Sequence, residues 1–440
     1  MPRDEVARDT IAAIATPAGR GGIGVVRVSG LGVAQVAVAI LGKLPSAREA
    51  TFTRFRDHAG AVIDEGIALY FPAPYSFTGE PVLELQGHGG PVVMQDLLNA
   101  CVDAGARIAE PGEFTRRAFL EGKIDLAQAE AVADLIDAAT REAARSALRS
   151  LAGEFSAAVH AIVAKLIELR ALIEATLDFP EEDLDPIHRS DAAKRLAEVR
   201  AQLAQVLMKS RQGRLLAAGI RVAIVGAPNV GKSSLLNRLL EEDRAIVTPI
   251  PGTTRDPLRE SLEIEGVPVL LVDTAGLRAP GDEIERLGMQ RTRQEVSAAD
   301  VVLVVQEASA PRELAENLDH SGLQIDVFNK IDLAPGFRPR ASAVAVSAKT
   351  GEGMDGLRSA IVRTAGWSAS GEDVFLARAR HLRALESAAA HLESASAEKE
   401  RWEFLAEELR LAQLDLARIT GEVTADDILG EIFSRFCIGK

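Results

Sequence analysis

The loop Gly226-Ala227-Pro228-Asn229-Val230-Gly231-Lys232-Ser233 constrains the fold of this chain more than any other feature. It follows a β-branched run at residues 220–225 and opens a helical pattern, so it fits G-x-x-x-x-G-K-[ST] in a strand–loop–helix context. The glycines let backbone N–H groups converge on phosphate oxygens, and the helix N-terminus adds positive potential. Lys232 is placed to reach β- and γ-phosphate oxygens, and the Ser233 hydroxyl to ligate Mg2+. Short apolar runs at 269–272, 301–305, 325–328 and 343–346 alternate with helical segments, which predicts a parallel sheet with helices on both faces.

Three further elements follow, each expected at the C-terminal end of a strand. In Asp273-Thr274-Ala275-Gly276, the aspartate is expected to hold Mg2+ through water and the Gly276 N–H to sense a γ-phosphate. In Asn329-Lys330-Ile331-Asp332, the Asp332 carboxylate can accept from N1–H and the exocyclic amine of guanine, a donor pair adenine lacks. Leaving such a carboxylate unpaired is costly, so the motif selects GTP over ATP. Ser347-Ala348-Lys349 suits a backbone N–H donor to guanine O6. Thr254, beside Thr253 in Thr253-Thr254-Arg255-Asp256, is the natural second hydroxyl on Mg2+, ordered when the γ-phosphate is present. Val230 and Ser234 complete the expected phosphate contacts, and Lys232 and Thr254 are expected to act in catalysis.

One position departs from this frame. Ras-like GTPases place a water-orienting glutamine after the Asp-Thr-Ala-Gly motif, whereas this chain has Leu277. Hydrolysis is then either negligible or served by another group. Asn229 reads either as a ligand for a monovalent cation or as a residue that shapes the loop. On spacing alone, Glu283 and Glu285 read as solvated acids at a helix start.

Around this α/β segment the texture differs. The first ~120 residues alternate short β-like runs with Gly and Pro, with a helix expected at 91–104, and read as an α+β domain. From 125 to 178 almost nothing but Gly153 interrupts an Ala/Leu/Glu/Arg pattern, predicting one very long helix or two in line, ended by Pro180. Another helical stretch is read at about 190–212, and helical texture returns from about 372. A net charge of −14 excludes a general nucleic-acid coat, but residues 1–123 carry only −2, so any nucleic acid is expected at that part or on a partner. Two distant cysteines, Cys101 and Cys437, form neither a disulfide framework nor a zinc site. With no secretory signal or membrane span read, the expected location is cytoplasmic.

Taken together, these segments resemble the MnmE (TrmE) family of tRNA-modification GTPases over the whole chain. Beyond the nucleotide motifs, the resemblance is carried by Gly19-Arg20-Gly21-Gly22-Ile23-Gly24-Val25-Val26-Arg27-Val28-Ser29-Gly30 and by Leu83-Glu84-Leu85-Gln86-Gly87-His88-Gly89-Gly90. It is carried also by Pro111-Gly112-Glu113-Phe114-Thr115-Arg116-Arg117-Ala118-Phe119, by Lys123-Ile124-Asp125-Leu126-Ala127-Gln128-Ala129-Glu130-Ala131, and by Phe436-Cys437-Ile438-Gly439-Lys440.

The resemblance implies a P-loop GTPase (G) domain at 215–367, inserted into an all-α helical domain at 121–214 and 368–440. An α+β folate-binding and dimerisation domain at 1–120 comes before them. It implies that Arg27, Glu84, Lys123 and Lys440 contact a 5-formyl- or 5,10-methylene-tetrahydrofolate; read alone, Arg27 and Lys123 are surface charges and Glu84 a strand polar residue. It implies that Asn229, Thr248, Ile250 and Thr253 hold K+ where other GTPases place an arginine finger, with Thr248 also at the GTP site. Glu285 matches the family's water-orienting glutamate. The implied activity, with an FAD-carrying partner of the MnmG (GidA) kind, is modification of C5 of the wobble uridine of certain tRNAs. The one-carbon unit comes from folate, and GTP hydrolysis cycles the G domains. Cys437 reads either as a small packed residue or as a nucleophile. The rival reading, a ribosome-assembly GTPase, shares the phosphate loop and the Thr-Thr-Arg-Asp segment but calls for a basic RNA-binding module that the sequence does not display.

Overall fold

A computed structural model describes residues 9–178, 185–242, 259–273, 294–310, 322–368, 374–397, 401–423, 426–434, 436 and 439. The chain divides into two compact units, residues 1–133 with 420–440, and residues 134–419.

In the first unit, β1 (Ile11–Ile14), β2 (Gly21–Ser29), β3 (Thr51–Arg56), β4 (Val62–Phe71), β5 (Val82–Gly89) and β6 (Arg107–Ile108) form one sheet in the order β3-β4-β5-β2-β1-β6. All pairs are antiparallel except β1 with β6. Two-residue alternation sends Val26, Val28, Leu83 and Leu85 into a core with α1 (Val33–Leu41) and α2 (Pro91–Asp103), where Ile40, Leu97 and Cys101 meet them. Proline at the first turn of α2 starts that helix at the expected residue, because its missing N–H has no helical partner there anyway. Helix α3 (Glu113–Leu120) follows, and the C-terminal α12 (Asp426–Ser434) returns to this unit. Its Leu429, Ile432 and Phe433, with Phe436, pack on Leu126 and Ala129. Gly112, at φ 68°, permits this: a Cβ there would lie 2.6 Å from the Phe433 carbonyl oxygen.

The expected one or two helices over 125–178 are three: α4 (Leu126–Asp137), α5 (Arg141–Leu151) and α6 (Glu154–Asp178). Thr140 caps α5, its side chain accepting the Ala143 N–H, and Gly153 at φ 89° turns the chain into α6. Helix α7 (Asp185–Ala218) runs past Gly213, the glycine at which the sequence pattern stopped. That glycine serves packing, since a Cβ on it would lie 1.6 Å from the Phe375 carbonyl oxygen.

The second sheet takes β7 (Ile220–Gly226), β8 (Arg259–Ile264), β9 (Val267–Asp273), β10 (Val301–Glu307), β11 (Leu323–Asn329) and β12 (Val344–Ala345) in the order β12-β11-β10-β7-β9-β8. Only β8 runs antiparallel to its neighbour. Helices α8 (Lys232–Glu242) and α9 (Met354–Thr364) belong to this α/β domain, and α10 (Ala379–Ala397) and α11 (Trp402–Thr420) continue the helical domain into which it is inserted. No helix among the described residues is long and apolar enough to cross a membrane.

Candidate functional site

Strands β7, β9 and β11 bring the nucleotide motifs to one edge of the parallel sheet, the end where such folds bind ligands. Gly226 closes β7 at φ 154° and Gly231 opens α8 at φ 93°; a Cβ would lie 2.3 Å from the Val305 carbonyl oxygen at the first and 2.3 Å from Asn329 Nδ2 at the second. Asn229 also takes a positive φ, 64°, a conformation asparagine tolerates better than most residues. Lys232 Nζ donates to the Gly226 and Ala227 carbonyls at 2.9 Å each, so its ammonium is folded over the loop. Ser233 and Ser234 lie in the first turn of α8, and Asp273 ends β9 beside Ile224 of β7. A glycine-shaped loop at a helix N-terminus, with a lysine over it and a serine next to it, fits a polyphosphate with its Mg2+.

The loops after β7, β11 and β12 are joined through one side chain. Asn329, 2% exposed, donates from Nδ2 to the Val230 carbonyl at 3.0 Å, while its Oδ1 accepts from Lys330 N at 2.8 Å and Ala348 N at 3.1 Å. Buried Ser347 donates to Asp332 Oδ1 at 2.7 Å, which orients that carboxylate. Lys330, at φ 64°, pairs with Glu307 at 2.9 Å, and this hydrogen bond holds the Glu307 carboxyl below its usual range. Sequence reasoning missed Arg238, which donates from α8 to the Ala348 and Lys349 carbonyls at 3.0 and 2.7 Å. No motif marks it, because its partners lie more than a hundred residues away.

Thr248, Ile250, Thr253, Thr254, Thr274, Ala275, Gly276, Glu283, Glu285, Cys437 and Lys440 lie outside the described residues. Burial pushes the Cys101 thiol up to about 12, so it is an inert core residue.

In the first unit, Arg27 and Glu84 are cross-strand partners on β2 and β5, and Arg27 donates to Glu84 Oε1 at 3.0 Å and to the Gly439 carbonyl at 3.4 Å. Lys123 Nζ donates instead to the Pro74 carbonyl at 2.9 Å. Nearby segments build a polar network that the sequence did not reveal. Arg117, 3% exposed, donates to Asp9 and Glu113 at 2.8 and 2.9 Å and to Glu80 at 3.1 Å, and Arg107 also pairs with Glu113. Burial opposes the Glu113 charge, but Arg107, the Glu110 N–H and Arg117 outweigh it and lower the carboxyl.

Comparisons with known proteins place the chain in a family. The description "MnmE helical domain" matches residues 126–437, and "GTP-binding protein TrmE N-terminus" matches residues 10–123. The tRNA modification GTPase MnmE of Azoarcus sp. (strain BH72) is 60% identical over 443 residues, with 98% of each chain covered. That of Thiobacillus denitrificans (strain ATCC 25259 / T1) is 58% identical over 440 residues, again with 98% of each covered. Among solved structures, the G domain of the T. maritima FeoB iron transporter is similar at 26% identity and a TM-score of 0.26, over 33% of this chain and 98% of that one. With a matching domain model over most of its length and relatives this close from end to end, the chain belongs to the MnmE family of tRNA modification GTPases.

Proposed function

We propose that this chain is a potassium-activated GTPase that modifies C5 of the wobble uridine of certain tRNAs, together with an FAD-carrying flavoprotein of the MnmG (GidA) kind. A reduced folate supplies the one-carbon unit, giving carboxymethylaminomethyl- or aminomethyl-uridine, and GTP hydrolysis cycles the G domains. The observation that carries the GTP part is the joining of the three loops through Asn329, with Asp332 already oriented by Ser347 to receive guanine.

In this reading the N–H groups of residues 229–234 take the phosphates, and Lys232 exchanges its two carbonyl partners for phosphate oxygens. Ser233 and Thr254 would hold Mg2+, with Asp273 behind its water, and the ion would supply charge neutralisation at the phosphates. The Thr274, Ala275 and Gly276 backbone follows the γ-phosphate, and Ala348 and Lys349 face the base. Asn229, Thr248, Ile250 and Thr253 hold K+, and Glu285 orients water in place of the glutamine that Leu277 replaces. Arg27, Glu84, Lys123 and Lys440 hold the folate; Arg27 occupies one oxygen of Glu84, so the other can accept from ring N–H groups. The domains are 1–120, 121–214 with 368–440, and the inserted 215–367. The protein works in the cytoplasm as a homodimer through the N-terminal domain.

The test is GTP turnover in potassium chloride against sodium chloride at equal ionic strength, with Asn229→Ala and Glu285→Ala beside the parent. Potassium activation lost in both variants is expected. Equal rates in the two salts would remove the potassium part and leave the GTP site standing.

A further inference from the structure

Strand β5 alternates: Leu83, Leu85 and Gly87 are buried towards α1 and α2, while Glu84, Gln86 and His88 lie on the opposite face. Register sets their neighbours. Arg27 and Leu69 flank Glu84, and Val25 and Ile67 flank Gln86. The face therefore changes character along one strand, from a carboxylate, through an amide flanked by Val25 and Ile67, to an imidazole.

The imidazole end is built. The Asp64 carboxylate accepts from the His88 backbone N–H at 2.7 Å and from its Nδ1 at 2.8 Å. The Asp64 side chain is 10% exposed and that of His88 74%, so a sheltered acid holds an open ring. A Cβ at Gly87 would lie 2.5 Å from Asp64 Oδ2, so only glycine lets the carboxylate come this close. With Nδ1 bound to Asp64, Nε2 is the nitrogen left for a ligand. The hydrogen bond and charge of Asp64, with Glu65 adding to them, hold the imidazolium above its usual range; Glu65 itself pairs with Arg54 of β3 at 3.6 Å. A charged Nε2–H is a donor for an anion.

We propose that His88 is the carboxylate-binding end of this strip and takes a glutamate carboxylate of a reduced folate whose ring end lies at Glu84. This rests on the folate reading above. Four residues of strand separate Glu84 from His88, about 13 Å at the usual rise, a span that suits an extended pteridine–aminobenzoyl–glutamate skeleton. Val25 and Ile67 lie between, where the aminobenzoyl ring needs apolar contact.

The experiment is calorimetric titration of the full chain with 5-formyl-tetrahydrofolate and with 5-formyl-tetrahydropteroate, which lacks the glutamate. The parent is expected to bind the glutamate-bearing ligand about tenfold more tightly, the value of one charge-assisted hydrogen bond. In His88→Ala that preference disappears while the pteroate still binds, and in Asp64→Asn it shrinks. A variant that keeps the full preference overturns the proposal, and so does His88→Ala weakening both ligands equally, which marks a purely structural residue. A parent that binds neither ligand removes the folate reading itself.

Discussion

Asn329→Ala tests whether one side chain unites the guanine and phosphate loops. The substitution deletes three hydrogen bonds of 2.8–3.1 Å and leaves the Ala348 N–H and Val230 carbonyl without their partner in a buried place. At about 1 kcal/mol for each bond lost, the domain should lose about 3 kcal/mol, roughly a hundredfold in its opening equilibrium. Asn329→Asp keeps the acceptor but turns the donor into an anion facing the Val230 carbonyl, so it should cost at least as much. The assay is urea unfolding followed by Trp367, which is buried in the core of the second sheet, with Trp402 replaced by phenylalanine so that one tryptophan reports. A shift worth less than about 1 kcal/mol in Asn329→Ala, or a harmless Asn329→Asp, would refute the reasoning.

Gly231→Ala is expected to abolish GDP binding in a fluorescent-nucleotide titration, because its Cβ would meet Asn329 Nδ2 at 2.3 Å in a backbone conformation of φ 93°. Arg238→Ala should weaken the same binding about tenfold, since it releases the two carbonyls that fix the loop after β12. Asp9 and Glu113 have folded-state values below their ordinary 3.8 and 4.5, so their contribution is complete above the ordinary values and is lost as pH falls through the folded ones. The first unit should therefore melt at falling temperatures as the pH drops below those ordinary values, with Glu113→Gln flattening that dependence. Tyrosine absorbance reads it, because both tyrosines, Tyr70 and Tyr75, belong to that unit.

What the sequence made legible was local chemistry. A strand feeding glycines and Lys232, or a strand ending in Asn329, is complete within about ten residues, and the structure places these at one sheet edge. What it hid was partnership at a distance. Asp9 meets Arg117 across 108 positions, and Arg238 meets Ala348 across 110, and no periodicity encodes either meeting. Glycine misled for the same reason. At Gly153 it does end a helical run, but at Gly213 it sits inside α7, and only the Phe375 backbone explains it. Thr140 is the opposite case, a cap visible in the sequence yet lost in an alanine-rich run.

The root of the inserted domain bears on how the proposed cycling can work. Ala143 and Ala147 of α5 and Leu216 of α7 share one buried cluster with Val222, Ile264 and Val269 of the sheet and with Trp367 and Leu376. Hydrogen bonds close the same place: Ser146 donates to the Val374 carbonyl at 2.9 Å, and Leu376 N donates to Ser150 Oγ at 3.1 Å. At the β8–β9 turn, Gly266 lies so close to α5 that a Cβ would be 2.6 Å from Glu142 Cγ. Separating sheet from helices would expose that apolar surface at about 25 cal/mol per Å2 and orphan buried donors at about 1–3 kcal/mol each. In the proposed cycling, the sheet, α5 and the end of α7 are therefore expected to move as one body, with any bending beyond this root rather than at the two points where the domain enters and leaves.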